Sequence, residues 1–532
     1  MNILGINYLS ESTVSIIKNG KLIFALSEER LNRKKNWYGI PYESIKIAKK
    51  ILNNKINSVV TCGFSAIEKN MPNELEFINQ INSVKKSKLK KSVKIKQINF
   101  LKKRRDHEDK VINERTLDVI NKLKKIFKNL IVYDHHKAHA ATAAFYSKFK
   151  NCYVLTIDGW GDDASSKIFE FGKNGLNLIS KTDTINSLGY FYGSITKLLG
   201  FKPHQHEGKI LGLAAYGNPK KAYKEIKKLI NYDTKSKSFK GLYDKGIYQA
   251  QYQNDNLKYL KKNYSREDIC AAAQLVLEET VLKCIKNLSK KKFNIALAGG
   301  VFANVKLNQK IMELNKVKDL FIFPNMGDGG LSVGAAVLEY FNKTNKRPKK
   351  LKNYYLGLKY SEAEIIKEIK KNNLNFKKFK NLPHEIAIRI SQGKVVAHFN
   401  DKMEFGPRAL GNRSILCSAK RKEINKELNK KLNRTEFMPF APVIMEEFLK
   451  KYFIYSKGKK NFENMTMTCR CKKIMSMSSP AAVHVDNTAR PQSVSRKNNS
   501  RLYDILNEYY EITGIPVLIN TSFNLHEEPI VN

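Results

Sequence analysis

The chain has 532 residues, 42% of them hydrophobic, which is material for roughly two to four domains with full-sized cores. Its formal charge of +47 is carried by Lys along the whole length, with no Arg-rich arm, RNP-type aromatic motif or zinc-finger spacing; it reads as a solvated, anion-steering surface rather than a nucleic-acid footprint. Seven scattered cysteines argue against a disulfide scaffold, and no leader or apolar run of about 18 residues is present, so a soluble cytoplasmic protein without a membrane span is expected.

In chain order, MNILGIN reads as an apolar strand and STVSIIKNGKLIFALSEER as a hairpin closed by Asn19-Gly20. Val84–Lys128 is Lys-rich with periodic Ile, Leu and Val, the pattern of surface helices with one apolar stripe. LIVYDHH reads as a strand running into an Ala-rich helix, KAHAATAAFYS. CYVLTIDGWGDDASSKIFEF is strand, Gly/Asp turn, strand; EDICAAAQLVLEETVLKCIKNL is a long helix. NIALAGGVFANVKLNQKI and FIFPNMGDGGLSVGAAVLEYF each read as strand, glycine turn and helix, the plan of an α/β fold with a nucleotide between layers. At Phe341–Asn353 the composition turns polar and basic, so a first domain over 1–347 and a second α/β domain over 348–532 are expected. No internal repeat of solenoid period is visible. Cys469 and Cys471 lack the second pair of a four-cysteine zinc site and read as ordinary thiols.

His135 and His139 are four residues apart, about 40° around a helix axis, so both imidazoles can face one metal ion. His136 points elsewhere. The same pair could equally cap a buried helix end through hydrogen bonds. In GDGG, Asp328 stands where a carboxylate at a helix start would complete a His, His, Asp set with open positions for water or substrate. DGWGD (Asp158–Asp162) offers amides for a phosphate and carboxylates for a cation, or is a plain hairpin turn.

These segments in register resemble a known family. DHHKAHAATAAFYS, TIDGWGDDAS, HEGKILGLAAYG (His206–Gly217), GGVFANVKLN (Gly299–Asn308) and PNMGDGG are similar to carbamoyltransferases of the nodulation and antibiotic-tailoring type. So are FNDKMEFGPRALGNRSIL (Phe399–Leu416), FMPFAPV (Phe437–Val443), HVDNTARPQ (His484–Gln492) and LINTSFNLHEEPIV (Leu518–Val531), in order and across almost the whole chain. The resemblance implies an actin-like ATPase-superfamily domain of the threonylcarbamoyladenosine-transferase type, followed by a YrdC-like α/β domain. The implied reaction is O-carbamoylation of a hydroxyl on a sugar or natural product, using carbamoyl phosphate and ATP with its Mg2+. The YrdC-like domain would make carbamoyl adenylate, and the first domain would transfer the carbamoyl group beside a divalent cation, implied to be iron.

Carried over residue by residue, the resemblance makes His135, His139 and Asp328 the metal set, with Asp158 a second carboxylate and catalytic candidate. Gly299, Gly300, Asn304, Gly208 and Lys209 are the implied nucleotide contacts. Arg408, Arg413, Arg434 and Arg490, with Asn520 and Ser522, are the implied contacts to carbamoyl phosphate and ATP, polyanions that suit the forked guanidinium. Three departures stand out. Relatives carry a His-Asp pair after the first strand, where this chain has Ser10 and Glu11; proton removal from the acceptor then falls to Glu11 or His136. Met438 replaces a basic residue, and the chain stops at Asn532, where relatives continue, so a final helix would be missing. Those departures motivate one alternative reading, a non-catalytic scaffold of the same fold. A second is a transferase acting on tRNA adenosine, for which the basic charge would be suited; the fused second domain speaks against it.

Overall fold

The computed structural model describes residues 1–63, 73–87, 89–111, 116–241, 257–434 and 437–532. Parts of the basic stretch, 88 and 112–115, and two residues of NRTEF, 435 and 436, lie outside the described residues. The rest is a mixed α/β fold carried by three five-stranded sheets.

The first sheet comprises β1 (Asn2–Asn7), β2 (Thr13–Lys18), β3 (Lys21–Ser27), β4 (Ser58–Cys62) and β5 (Leu130–Tyr133), in the order β3-β2-β1-β4-β5. β1, β2 and β3 form an antiparallel meander, and β4 and β5 continue parallel to β1. Asn19 and Gly20 have φ of 48° and 76°, the positive values that a tight hairpin between right-twisted strands requires. The second sheet takes β6 (Cys152–Gly161), β7 (Ala164–Gly172) and β8 (Gly175–Thr182); β9 (Ile230–Asp233) and β10 (Ser238–Gly241) pair separately, and β11 (Phe293–Ala298) and β12 (Val317–Ile322) complete it. Its order, β8-β7-β6-β11-β12, repeats that of the first, again with a meander followed by two parallel strands. This duplicated plan is the actin-like architecture. It escapes a search for sequence repeats because strand pairing is duplicated, not residues.

The C-terminal third is built from β13 (Val396–Phe399), β14 (Arg413–Ser418), β15 (Ala441–Met445), β16 (Phe453–Ile454), β17 (Cys469–Cys471), β18 (Thr488–Ala489), β19 (Gln492–Val494) and β20 (Val517–Ser522). Five of them form the mixed sheet β13-β14-β20-β15-β19, and β16-β17-β18 a smaller one. One hydrophobic core runs from Leu155, Leu277 and Leu320 through to Ile415, Phe440 and Ile519. The Asn461 side chain accepts from Ile322 N (3.0 Å) and donates to Leu320 O (3.0 Å), so the C-terminal part caps the edge of the second sheet. All seven cysteines are buried and free.

Two boundaries differ from the sequence reading. The helix starts at His135, not after the histidine pair, because Asp134 caps it by accepting Lys137 N at 2.7 Å. Asp158 lies inside β6, which runs on to Gly161 over an irregular register, rather than in a turn.

Helix Leu331–Thr344 is wedged between β1 and helix His135–Tyr146. A Cβ on Gly334 would stand 2.0 Å from Ala138 O, and one on Gly5 would stand 2.0 Å from Ser332 O. The helix ahead of Asp328's chain direction and the helix of the histidines therefore touch backbone to backbone. Gly334→Ala should force them apart, costing about 1–3 kcal/mol as overpacking does. A lower Tm and a lower bound-metal content after loading are the expected readouts; an unchanged Tm would contradict this packing.

Candidate functional site

The close crossing brings His135 and His139 up to Asp328, which lies just ahead of Leu331. His135 Nε2 and His139 Nε2 are 3.6 and 3.5 Å from Asp328 Oδ1. Asp158, from β6, places Oδ2 3.1 Å from His139 Nε2 and 3.9 Å from His135 Nε2. All four ligand atoms lie within 4.8 Å of one another. Asp158 thus stands as an equal fourth member of the cluster. It is held there by Gly159 N (2.7 Å) and Gly300 N (3.2 Å), both donating to its carboxylate. Gly161 leaves the space His135 occupies: a Cβ there would meet the ring at 2.2 Å.

The imidazoles are buried, and none of their four nitrogens makes a hydrogen bond of good geometry, the 3.1 Å approach to Asp158 included. Unpartnered buried nitrogens beside two carboxylates are costly. A first-row divalent cation fits this donor set, since imidazole and carboxylate suit Fe, Zn and Mn alike and leave positions open. In the metal-free chain, burial opposes protonation of His139, but the facing Asp158 and Asp328 carboxylates outweigh it and push its pKa up to about 9. Burial likewise works against the Asp158 carboxylate, yet the imidazoles hold its pKa well below the usual range.

Glu11 sits beside the cluster with a φ of 54°, its Oε2 accepting Gly329 N at 3.3 Å. Burial first, then Glu29 and Asp328, raise its pKa to about 7 in the metal-free chain. A neighbouring cation would pull it back down. His136 is corrected from the catalytic set. It is fully buried outside the cavity, with Nδ1 2.9 Å from Thr156 Oγ1 and Nε2 3.0 Å from Ala164 O. Burial and the neighbouring His135 lower its pKa to about 3, so it stays neutral and structural.

A single cavity of about 1160 Å³ extends from the cluster to the C-terminal sheet. His135, Asp158, Asp328 and Glu11 line it, and so do Arg408, Arg434, Arg490, Asn520 and Ser522 of the C-terminal part. Gly300, Asn304, Gly208 and Lys209 line it as well. Gly299 turns the chain with φ 97° against Ile157 O, where a Cβ would clash at 2.3 Å. The Asn304 side chain is spent on Leu307 N and Gln274, so only its backbone side is left to a nucleotide. Arg434 is anchored by Thr521 Oγ1 (2.7 Å) and Ser522 Oγ (3.1 Å). Asn520 donates to Ala409 O and Gln492 Oε1, leaving its own Oδ1 without a protein partner.

Arg413 is the second correction. It is fully buried away from the cavity, stacks 3.6 Å over Phe399, and donates to Asn400 O, Asp401 O and Asn412 O. Its role is to close the EFGPRALGNR loop. The sequence reading assigned no role to Arg30, Lys35, Tyr38, Trp160, Tyr190 and His484, which also line the cavity. Trp160 and His484 stood within quoted motifs, DGWGD and HVDNTARPQ. A second group, His206, His526 and Glu527, is close enough to hold an ion. However, His206 Nδ1 accepts Lys202 N (3.2 Å), so the neutral ring carries its proton on Nε2, facing Glu527 at 3.5 Å. The Lys202 ammonium already sits 3.1 Å from that carboxylate. This group ties the cleft walls together.

Among the described residues no helix is long and apolar enough to cross a membrane. Residues 2–337 match the family model for the carbamoyltransferase N-terminus, and 387–532 that for the carbamoyltransferase C-terminus. An uncharacterized protein of Methanocaldococcus jannaschii is 36% identical over 99% of this chain and 94% of its own length. Nodulation protein NolO of Bradyrhizobium diazoefficiens is 30% identical over 75% of this chain and 74% of its own. Nodulation protein U of Sinorhizobium fredii is 29% identical over 49% of this chain and 46% of its own.

Because His139 holds its proton up to about pH 9 when no cation is bound, a cation must displace that proton at neutral pH. Metal affinity should therefore rise with pH toward about 9, with release of roughly one proton. Calorimetry in buffers of different ionisation enthalpy measures this; pH-independent binding without proton release would contradict it.

Proposed function

The chain belongs to the carbamoyltransferase family, and from that premise we propose that it forms carbamoyl adenylate at one end of the cavity and carbamoylates a sugar or natural-product hydroxyl at the other. We place the division of labour at residue 347, with 1–347 as the transfer domain and 348–532 as the YrdC-like adenylate-forming domain. The one cavity that the cluster residues and the C-terminal arginines line together is the observation that carries this reading. A carbamoyl adenylate is labile in water, so a covered route from synthesis to transfer favours product over hydrolysis.

At the arginine end, Arg408, Arg434 and Arg490 hold the phosphoryl oxygens of carbamoyl phosphate and ATP. With one water consumed, these become carbamoyl adenylate, pyrophosphate and phosphate. Lys209 and the amides around Gly300 take up the adenylate's phosphate as it faces the cluster. At the transfer end, Glu11 accepts the proton of the acceptor hydroxyl. The acceptor oxygen bonds to the carbamoyl carbon, the carbon–oxygen bond to the phosphate breaks, and AMP leaves. A divalent cation, iron in this reading, would be held by His135, His139, Asp158 and Asp328 and would supply Lewis acidity at the carbamoyl oxygen. Glu11 stands in for the absent His-Asp pair of relatives.

His139→Ala should abolish acceptor carbamoylation while leaving acceptor-independent pyrophosphate release largely intact. Arg490→Ala should lower pyrophosphate release roughly ten- to hundredfold, the worth of about 1.5–3 kcal/mol for a charged hydrogen bond. Loss of both activities in His139→Ala, or normal release in Arg490→Ala, would overturn the division of labour.

A further inference from the structure

His484 is 6% exposed, lines the cavity together with Arg490, and has no hydrogen-bond partner for Nε2 within the protein. Its surroundings are built to hold it. His484 N donates to Thr488 O (2.8 Å) and Asn487 N to His484 O (2.9 Å), which closes a tight turn. Nδ1 lies 3.4 Å from Asp486 Oδ1, a carboxylate oxygen that also accepts from Thr488 N (3.2 Å) and Thr488 Oγ1 (2.6 Å). Asp486 Oδ2 pairs with Lys306, at the start of helix Val305–Met312. The Tyr216 ring stands edge-on to the imidazole at 5.8 Å. Lys306 and Tyr216 both lie within the residues that match the carbamoyltransferase N-terminus, so the turn is gripped across the cleft.

A purely structural buried histidine spends both nitrogens on the protein, as His136 does. His484 spends one face on a carboxylate and keeps Nε2 without a protein partner. The carboxylate beside Nδ1 fixes the orientation of the ring and leaves Nε2 as the nitrogen that can donate to an anionic oxygen. Arg490 follows six residues later and lines the same cavity.

We propose that His484 contacts a phosphoryl oxygen of ATP or carbamoyl phosphate through Nε2, with Asp486 as its positioning residue and Lys306 as the tether from the opposite half. This rests on the adenylate-forming role proposed above for that end of the cavity. No bond is made or broken at the imidazole; it binds a phosphoryl oxygen.

The test uses the full chain, pyrophosphate release, and one phosphoryl substrate varied at a time. His484→Ala should raise KM for at least one of the two at least tenfold, with a smaller effect on kcat and no change in bound metal. His484→Gln, whose amide can still donate, should recover part of the loss, and Asp486→Asn should lie between. The substrate whose KM moves identifies the phosphoryl group contacted. Unchanged KM values for both substrates, or a fall in kcat and Tm that Gln does not rescue, would overturn the proposal. Should His484→Ala fail to fold, the 15N shift of His484 Nε2 in the unmodified chain must move on adding ATP or carbamoyl phosphate; no movement with either would overturn it. If the unmodified chain releases no pyrophosphate, the adenylate reading fails by itself. Calorimetric binding of ATP and of carbamoyl phosphate to His484→Gln then decides the contact: weaker binding of either supports it, and unchanged binding of both overturns it.

Discussion

Two helices meet with no side chain between them, and the rest of the site depends on that contact. Gly334 lets helix Leu331–Thr344 rest on the Ala138 carbonyl, and Gly5 lets β1 reach its other side. Asp328, at the head of one helix, is thereby brought within 3.6 Å of imidazoles on the other. β6 adds Asp158 by the same logic of small residues, with Gly161 clearing room for a ring and Gly300 offering its amide. Two buried imidazoles and two half-buried carboxylates in so little space lose most of their hydration, and the carboxylates face each other as like charges. A shared cation, or a trapped proton, is what makes the arrangement tolerable.

The C-terminal half is not a separate bead. Its core is continuous with that of the second sheet, and Asn461 completes the hydrogen bonding of β12. The cleft between them is spanned at two points, by Lys306 with Asp486 and by Lys202 with Glu527. Such joints keep the arginine end and the metal end facing the same cavity. In the proposed reaction, that fixed relation replaces the release and recapture of a labile intermediate.

Much of this was legible in the residues because it rests on local rules. The i, i+4 spacing of His135 and His139, the glycine turns after apolar strands, and the Asn-Gly hairpin each map onto one element. What was hidden depends on burial, which a sequence does not state residue by residue. Arg408 and Arg413 stand five apart in one motif, yet one faces the cavity and the other braces backbone carbonyls beneath it. His136, between the two cluster histidines in sequence, turns instead to Thr156. Asp158, read as a second carboxylate carried by a turn, stands instead on β6 and joins the cluster from there. The duplicated sheet order was invisible for a related reason, since pairing partners lie far apart along the chain.

The most direct measurement is X-ray absorption at the metal edge, or anomalous diffraction, on protein loaded with ferrous iron. One cation with two imidazole nitrogens and carboxylate oxygens at about 2.0–2.2 Å, as such ligands give, is the result expected at His135, His139, Asp158 and Asp328. A cation bound at His206 and His526 instead, or ligation lacking one of the two helix histidines, would contradict a transfer centre built on the helix crossing.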